Sequence, residues 1–179
     1  MLVEVSMQIV LGVKQAMTEK RKTVLRILLD MAVAAVVTFL LLHVAFRIVV
    51  VDGDSMNPTL ENGNLILIQC TSNIQRGDIV VCEPDGYNKQ LVKRVIGIAG
   101  DVVDINFDTG MVSLNGTLLE EPYTLEGTHT NMGTEFPLIV SKDQLFLLGD
   151  NRNNSHDSRS IDIGQVDVDC VIGKMIARF

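Results

Sequence analysis

The feature that most constrains this chain is a run of twenty apolar-rich residues, 27–46, with Arg26 before it and Arg47 after it. About 20 apolar residues in a helix span the hydrocarbon core of a bilayer. Asp30 and His43 each lie near one end of the run, where a polar group can reach the headgroup region. The core helix of a soluble domain would carry a polar face, and this run has none. We therefore predict a transmembrane helix at 27–46.

A cleavable signal peptide is the main alternative to an anchor. Such peptides have an apolar region of about 7 to 15 residues, followed by a cleavage site of small residues. Here the run is longer and continues into Arg47 and a strand-like segment at 48–51, so we predict an anchor that is kept. The positive-inside rule places the basic residues before the run in the cytoplasm. Those residues are Lys14, Lys20, Arg21, Lys22 and Arg26.

The predicted order is a cytoplasmic segment at 1–26, a single span at 27–46 and an extracytoplasmic domain at 48–179. Residues 1–13 contain an apolar stretch that is too short to span a membrane. An interfacial helix is one interpretation of this stretch, but we favour a loosely ordered tail.

Charge is unevenly distributed along the chain. Residues 1–47 hold six Lys or Arg and three Asp or Glu, whereas residues 48–179 hold nine and nineteen. Binding to nucleic-acid phosphates needs clustered Lys and Arg. The acidic second part therefore argues against a nucleic-acid partner.

The three cysteines, Cys70, Cys82 and Cys170, show no CxxC or Cys/His metal spacing. Their odd number leaves at least one thiol unpaired. One disulfide could form outside the cytoplasm, and the sequence does not choose the pair. We favour the alternative that all three are small buried hydrophobic residues.

Residues 48–179 are rich in short β-branched runs separated by Gly, Asn, Asp and Pro turns. Residues 108–119 alternate around turns and predict a hairpin, and residues 120–137 predict a longer surface insertion between strands. This pattern is typical of a single all-β domain, either a barrel or a folded sheet. The main strands are predicted at 48–51, 65–68, 79–81, 92–98, 102–105 and 145–148.

The first of three clusters that could carry chemistry is Gly53-Asp54-Ser55-Met56-Asn57-Pro58-Thr59-Leu60, directly after the strand at 48–51. A serine between a glycine and a Met-x-Pro turn can present its hydroxyl and its backbone N–H on the same side. Acyl transfer needs this pairing of an attacking oxygen with a donor for the oxyanion. Ser55 is therefore a candidate nucleophile. Because all of these residue types also favour turns, an ordinary β-turn is the alternative.

The second cluster is Leu91-Val92-Lys93-Arg94-Val95-Ile96-Gly97. A strand lysine among apolar neighbours is partly desolvated, which lowers its pKa and lets the neutral amine act as a general base. Alternation places Lys93 and Arg94 on opposite faces, so at most one of them points inward. A solvated lysine on an edge strand is the alternative.

The third cluster is Gly149-Asp150-Asn151-Arg152-Asn153-Asn154-Ser155-His156-Asp157-Ser158-Arg159. So dense a polar loop is either solvated surface or a hydrogen-bonded scaffold behind a site. Asp157 and Arg159 are suited to pair with each other. His156 invites a Ser/His interpretation, but we favour an exposed loop histidine.

In this order, after one N-terminal span, the three clusters resemble those of the type I signal peptidases over about residues 26–179. The resemblance implies that Ser55 is the nucleophile and Lys93 the general base. It also implies that Ser155 hydrogen-bonds the lysine amine and that the other polar residues support the strand or brace the site. Those residues are Arg94, Asp150, Asp157 and Arg159.

The resemblance implies a mainly β, signal-peptidase-like folded sheet or barrel after one transmembrane helix. It further implies a serine endopeptidase that removes signal peptides from membrane-tethered preproteins through an acyl-enzyme, without metal or cofactor. The enzyme would act at the lipid bilayer and cut after small residues, typically Ala at the first and third positions before the cut. Shallow apolar pockets for them would be lined by Val49, Val51, Met56, Leu60, Leu91 and Val92.

One departure concerns the oxyanion. In some members a serine two residues before the nucleophile donates to it, and here that position is Gly53, as in the short, single-span bacterial members. The resemblance then implies an oxyanion hole made of backbone N–H groups.

Two other functions are considered. A self-cleaving Ser/Lys regulator of similar β fold would usually carry a DNA-binding module, and the anchor and the acidic domain argue against it. A membrane-anchored binding or chaperone domain would need neither Ser55 nor Lys93.

Overall fold

The computed structural model describes residues 2–87 and 89–179. They form two compact units. The first unit ends at Val44, and the second spans Ala45–Phe179. Helix α1 spans Leu2–Ala45, and its part Lys20–Leu41 is long and apolar enough to cross a membrane. The expected loose tail is wrong for residues 2–13, which are helical, while Met1 lies outside the described residues. The predicted span ended at residue 46, but Phe46 already belongs to the first strand.

The second unit is built from two antiparallel sheets with strands numbered in chain order. The larger sheet contains β1 Phe46–Val50, β2 Leu65–Gln69, β3 Ile79–Cys82, β4 Leu91–Ile98, β9 Gln144–Leu148, β10 Val166–Asp167 and β11 Val171–Arg178. Within the described residues these seven strands lie in the order β1-β2-β11-β3-β4-β9-β10. Strand β3 is buried along its whole length, as expected for a run of β-branched residues near the middle of a sheet.

The smaller sheet contains β5 Val102–Asn106, β6 Met111–Leu114, β7 Thr117–Leu118 and β8 Leu138–Ile139, in the order β7-β6-β5-β8. Strands β6 and β7 form the predicted hairpin. The stretch from β7 to β8 is the predicted insertion, and in it the structure records one isolated bridge, between Gly133 and Ser160.

Hydrophobic packing beneath the first polar cluster fixes its position. Val51, Met56 and Leu60 are at most 3% exposed and pack with side chains of β2 and β3. A second cluster lies around β3, β4 and β9, and a third joins β5 and β6 to β9. The loop that carries Ser55 therefore rests on a packed core.

The mainly β fold with an N-terminal apolar helix confirms the predicted class. The sequence interpretation missed β11, which lies between β2 and β3. Its burial is mixed along the strand, so no clean alternation of apolar and polar residues marks it. Gly173 interrupts the run because a Cβ there would meet the Gln69 carbonyl oxygen at 2.5 Å.

All three cysteines are free, and only Cys82 is fully buried. The expectation of three buried thiols is therefore wrong for Cys70 and Cys170, which are half-buried. Burial raises the pKa of the Cys82 thiol to about 12, so this thiol stays protonated and packs as a small apolar group.

Candidate active site

Ser55 lies in a loop that leaves β1 and returns to β2. The loop is closed by backbone hydrogen bonds, from Val51 N–H to the Asn64 carbonyl and from Gly63 N–H to the Val51 carbonyl, both 2.9 Å long. Gly53 has a φ of +93°, which favours glycine, and its N–H donates to Asn62 Oδ1 at 2.9 Å. Among the described residues, the N–H of Ser55 has no recorded acceptor. Ser55 therefore offers both a hydroxyl and a free backbone donor.

Lys93 comes from the middle of β4 and is 3% exposed. Its amine donates to Ser55 Oγ at 2.7 Å and to the Val92 carbonyl at 3.1 Å. Burial lowers the pKa of this amine, and the Asp157 carboxylate opposes that effect in part. An amine with a lowered pKa is neutral over more of the physiological range, and only then can it accept a proton.

Arg94, the next residue on β4, forms a bidentate ion pair with Asp150. Its Nε donates to Oδ1 at 2.8 Å and its Nη2 to Oδ2 at 2.6 Å. Thr59, in the Ser55 loop, donates its hydroxyl to Asp150 Oδ2 at 2.5 Å. Asp150 therefore joins β4 to the Ser55 loop, and the sequence interpretation did not identify Thr59.

Asp157 is the centre of the third cluster and is fully buried. One of its oxygens, Oδ2, accepts from the Gly149 N–H at 3.0 Å and from Ser155 Oγ at 2.7 Å. The guanidinium of Arg159 binds the same carboxylate at 2.8 and 2.9 Å. The predicted pairing of Asp157 with Arg159 is present.

The expected hydrogen bond from Ser155 to the lysine amine is absent among the described contacts, and this expectation is corrected. The hydroxyl of Ser155 is directed to Asp157, a charged acceptor, and charge-assisted hydrogen bonds are the stronger ones. The recorded hydrogen bonds of Lys93 go to Ser55 and Val92 instead.

The loop that carries the third cluster, residues 149–159, is called the closing loop, and it is also tied to the insertion between β7 and β8. Arg152 is 1% exposed and binds Glu121 through two hydrogen bonds of 2.8 and 2.5 Å. Tyr123 donates its hydroxyl to Glu121 at 3.0 Å. The sequence interpretation assigned no role to these three residues, because neither the insertion nor the 149–159 loop has a periodicity that indicates what it contacts.

A cleft of about 570 Å³ opens at Ser55 and Lys93. Of the six predicted pocket residues, five line it, and Leu60 does not because it is 0% exposed within the core. The five are Val49, Val51, Met56, Leu91 and Val92.

Other residues of the cleft were not predicted to line it, among them Tyr87, Lys89, Gln90 and His156. His156 is partnered rather than simply exposed. Its ring stacks on Tyr87 with centroids 5.6 Å apart, and its Nε2 lies 2.8 Å from Asp162 Oδ2.

A comparison with known protein families shows to which family the chain belongs. The profile described as "Signal peptidase, peptidase S26" matches residues 24–179. The chain belongs to this signal peptidase family. The relation covers both sheets of the second unit and the later part of α1.

Curated relatives agree with this membership. "Signal peptidase I S" of Bacillus subtilis (strain 168) is 34% identical over 159 residues, which cover 82% of this chain and 84% of the relative. "Signal peptidase IB" of Staphylococcus aureus (strain COL) is 30% identical over 178 residues, covering 89% and 91%. A crystal structure of a signal peptidase I from Enterococcus faecalis V583 is 28% identical and covers 58% of this chain and 97% of that chain, with a TM-score of 0.48. As a member of the signal peptidase family, the chain is a serine peptidase of the type that removes signal peptides.

Proposed function

We propose that Ser55 and Lys93 form the catalytic dyad of a membrane-bound endopeptidase that cuts signal peptides from exported preproteins after small residues. The observation that carries this proposal is the 2.7 Å contact between Lys93 Nζ and Ser55 Oγ, made by a lysine that is 3% exposed. A nucleophile and its base must lie within hydrogen-bonding reach of each other.

In the proposed mechanism the neutral amine of Lys93 takes the hydroxyl proton of Ser55. Ser55 Oγ attacks the scissile carbonyl, and the oxyanion accepts from the free N–H of Ser55. The lysine, now an ammonium, protonates the leaving amine. Water, deprotonated by the same lysine, then hydrolyses the ester and frees the serine.

Lys93 is better placed than His156 to be the base. The recorded hydrogen-bond partner of His156 is Asp162, and its ring stacks on Tyr87. Lys93 has the recorded contact with the Ser55 hydroxyl. Its pKa is lowered by burial, which favours the neutral form that a base requires.

The walls of the cleft support a preference for small apolar side chains. Val49, Val51, Leu91 and Val92 line it beside Ser55. Met56, which is 1% exposed, limits its depth because it belongs to the core below. We assign these residues to the sites for the small side chains, typically Ala, at the first and third positions before the cut.

We further propose that α1 anchors the enzyme through its residues 27–45, with residues 1–26 in the cytoplasm and residues 48–179 on the extracytoplasmic face. The length and apolar character of Lys20–Leu41 support an anchor. The next strand carries exposed apolar side chains at Ile48 and Val50, 69% and 60% exposed, which suits contact with a bilayer surface. Substrates held in the same bilayer meet the enzyme at a raised effective concentration.

Processing of an exported precursor tests this function. The precursor is co-expressed with wild type, Ser55→Ala or Lys93→Ala in cells whose own signal peptidases have been removed. Mature product should accumulate with wild type alone. Lys142→Ala replaces an exposed lysine outside the cleft lining; it is the matched control and should still process precursor. Undiminished processing by the Ser55 or Lys93 variant would overturn the dyad.

A further inference from the structure

Tyr123, in the insertion between β7 and β8, covers the guanidinium of Arg94. The Arg94 Cζ atom lies 3.9 Å from the centroid of the Tyr123 ring. Cation–π contacts are attractive within about 6 Å, and an arginine can stack on an aromatic face while its edge binds a carboxylate. Arg94 does both, since its edge holds Asp150 through two hydrogen bonds.

The ring itself is held in place through its hydroxyl. Its hydroxyl donates to Glu121, and Glu121 forms an ion pair with the buried Arg152 of the closing loop. The pKa of the Tyr123 hydroxyl is raised to about 12. Burial is the main cause, and the nearby negative charge of Glu121 is the second. Tyr123 is therefore a neutral donor throughout the working range.

Asp150 connects this contact to the reacting groups. The neighbouring residue Asn151 donates its N–H to the Ser55 carbonyl at 3.0 Å. The Asp150 carboxylate accepts a hydrogen bond from Thr59 of the Ser55 loop. Arg94 adjoins Lys93 on β4. A shift of Arg94 from Asp150 would thus be transmitted to both members of the dyad.

We propose that Tyr123 is a positioning residue for Ser55 and Lys93, which acts by holding the Arg94 guanidinium on Asp150. This inference rests on the proposed dyad. It assigns to the insertion a role in the reaction: one aromatic ring of the 120–137 segment maintains the ion pair behind the site.

Through its contact with Arg94, the ring also affects the electrostatic potential at the Lys93 amine. Burial is the largest influence on the pKa of Lys93 and lowers it, and the nearby Arg159 charge acts in the same direction. Asp157, Cys82 and, with the smallest effect, the negative charge of Asp150 act in the opposite direction. Arg94 offsets that charge while it is held against the carboxylate. Without the ring, Arg94 is held less firmly and more water enters, and both changes raise the pKa of Lys93.

The test measures kcat/KM against pH for the purified full-length protein in detergent, with a precursor peptide as substrate. Tyr123→Leu should lower kcat/KM at neutral pH by about threefold to tenfold and move the acidic limb of the profile to higher pH. Tyr123→Met, which fills the space with a flexible side chain, should do the same. Tyr123→Phe keeps the ring, and its acidic limb should lie at the same pH as that of the wild type.

Phe107→Leu is the matched control for general loosening. Phe107 packs edge-on against Phe136 at 5.8 Å in the third hydrophobic cluster, and it has no recorded contact with Arg94. This variant should lose stability without moving the acidic limb. An unchanged acidic limb in the Tyr123→Leu and Tyr123→Met variants, or an equal shift in Phe107→Leu, would overturn the proposal.

A double-mutant cycle separates the proposed route from other effects. In an Arg94→Gln background, Tyr123→Leu should cost little further activity, because the cation on which the ring acts is already lost. Independent, multiplicative losses would contradict the route through Arg94. Ser55→Ala and Lys93→Ala, measured in parallel, test the dyad itself, so failure of either proposal is distinguishable from failure of the other.

Discussion

The backbone N–H of Asn151 donates to the carbonyl of Ser55 at 3.0 Å. The closing loop is thus bonded to the residue that carries the candidate nucleophile. A second approach lies beside it: a Cβ added to Gly149 would meet the Ser55 carbonyl oxygen at 2.5 Å and Ser155 Oγ at 2.1 Å. The loop can come this close to Ser55 because residue 149 has no side chain.

Gly149→Ala should therefore displace the closing loop from Ser55. We expect a loss of about 1–3 kcal/mol in the free energy of unfolding, as for other overpacked sites. We also expect a loss of kcat/KM that is larger than in a control variant of similarly reduced stability. Urea unfolding and a peptide cleavage assay measure the two effects. Gly116→Ala in the β6–β7 turn is the control: its φ is +79° with open space around it, so it should lose stability and retain activity. Wild-type activity in Gly149→Ala would contradict the close approach.

Lys93→Met should abolish cleavage and yet stabilise the fold at neutral and acidic pH. The pKa of Lys93 is lowered in the folded state, so the unfolded chain binds more protons between that pKa and the ordinary value for lysine. Stability of the wild type should accordingly rise with pH across this window, and the advantage of the Met variant should shrink. Thermal unfolding across a pH series measures the difference.

Lys89→Met serves as the control for the lysine prediction, because Lys89 is an exposed residue of the same cleft. It should show no such pH-dependent stabilisation. A Lys93→Met variant that is less stable than wild type at every pH would argue against a desolvated amine.

Asp157→Ala should strongly destabilise the closing loop. The substitution leaves the buried guanidinium of Arg159 without its carboxylate and removes the acceptor of Ser155 and Gly149. Breaking a buried pair in this way costs about 3–5 kcal/mol. Lys142→Ala breaks an exposed pair with Asp143 and should change stability by less than about 1 kcal/mol. Equal effects of the two substitutions in urea unfolding would contradict the picture of a buried scaffold.

Leu91→Ala should broaden the residues accepted before the cut. Leu91 lines the cleft beside Val92, and shortening it enlarges the space for a substrate side chain. In a series of peptides with Ala, Val or Leu at the first and third positions, the variant should gain kcat/KM for the larger residues relative to Ala. Leu118→Ala, at an exposed site on β7, should leave the preference unchanged. An unchanged preference in Leu91→Ala would remove Leu91 from the pocket.

Much of the fold follows from local sequence, because short β-branched runs and turn residues identify β2 to β6 and β9 closely. Strand β11 did not follow, since its mixed burial is set by partners far away in sequence, β2 and β3. The helical state of residues 2–13 was also missed, because that stretch was judged by its length as a span and not by its continuity with the helix after it.

The residues of the site divide in the same way. Ser55 and Asp157 lie in compact polar clusters, and Lys93 lies in an apolar strand segment; all three features are visible in the sequence. Thr59 and Tyr123 matter through contacts made only in the folded chain: the Thr59 hydroxyl reaches Asp150 across 91 positions. Their own segments give no sign of those partners, and the bond of Ser155 to Asp157 depends on side-chain directions that residue order does not specify.

The most direct test of the central claim is a comparison of kcat/KM for purified wild type, Ser55→Ala, Lys93→Ala and the double variant on one precursor peptide. Groups that act as a unit show non-additive losses. We predict that each single variant loses about a thousandfold or more in kcat/KM and that the double variant is no worse than either. Substantial activity in either single variant, or a double variant whose loss is the product of the two, would contradict a Ser55–Lys93 dyad.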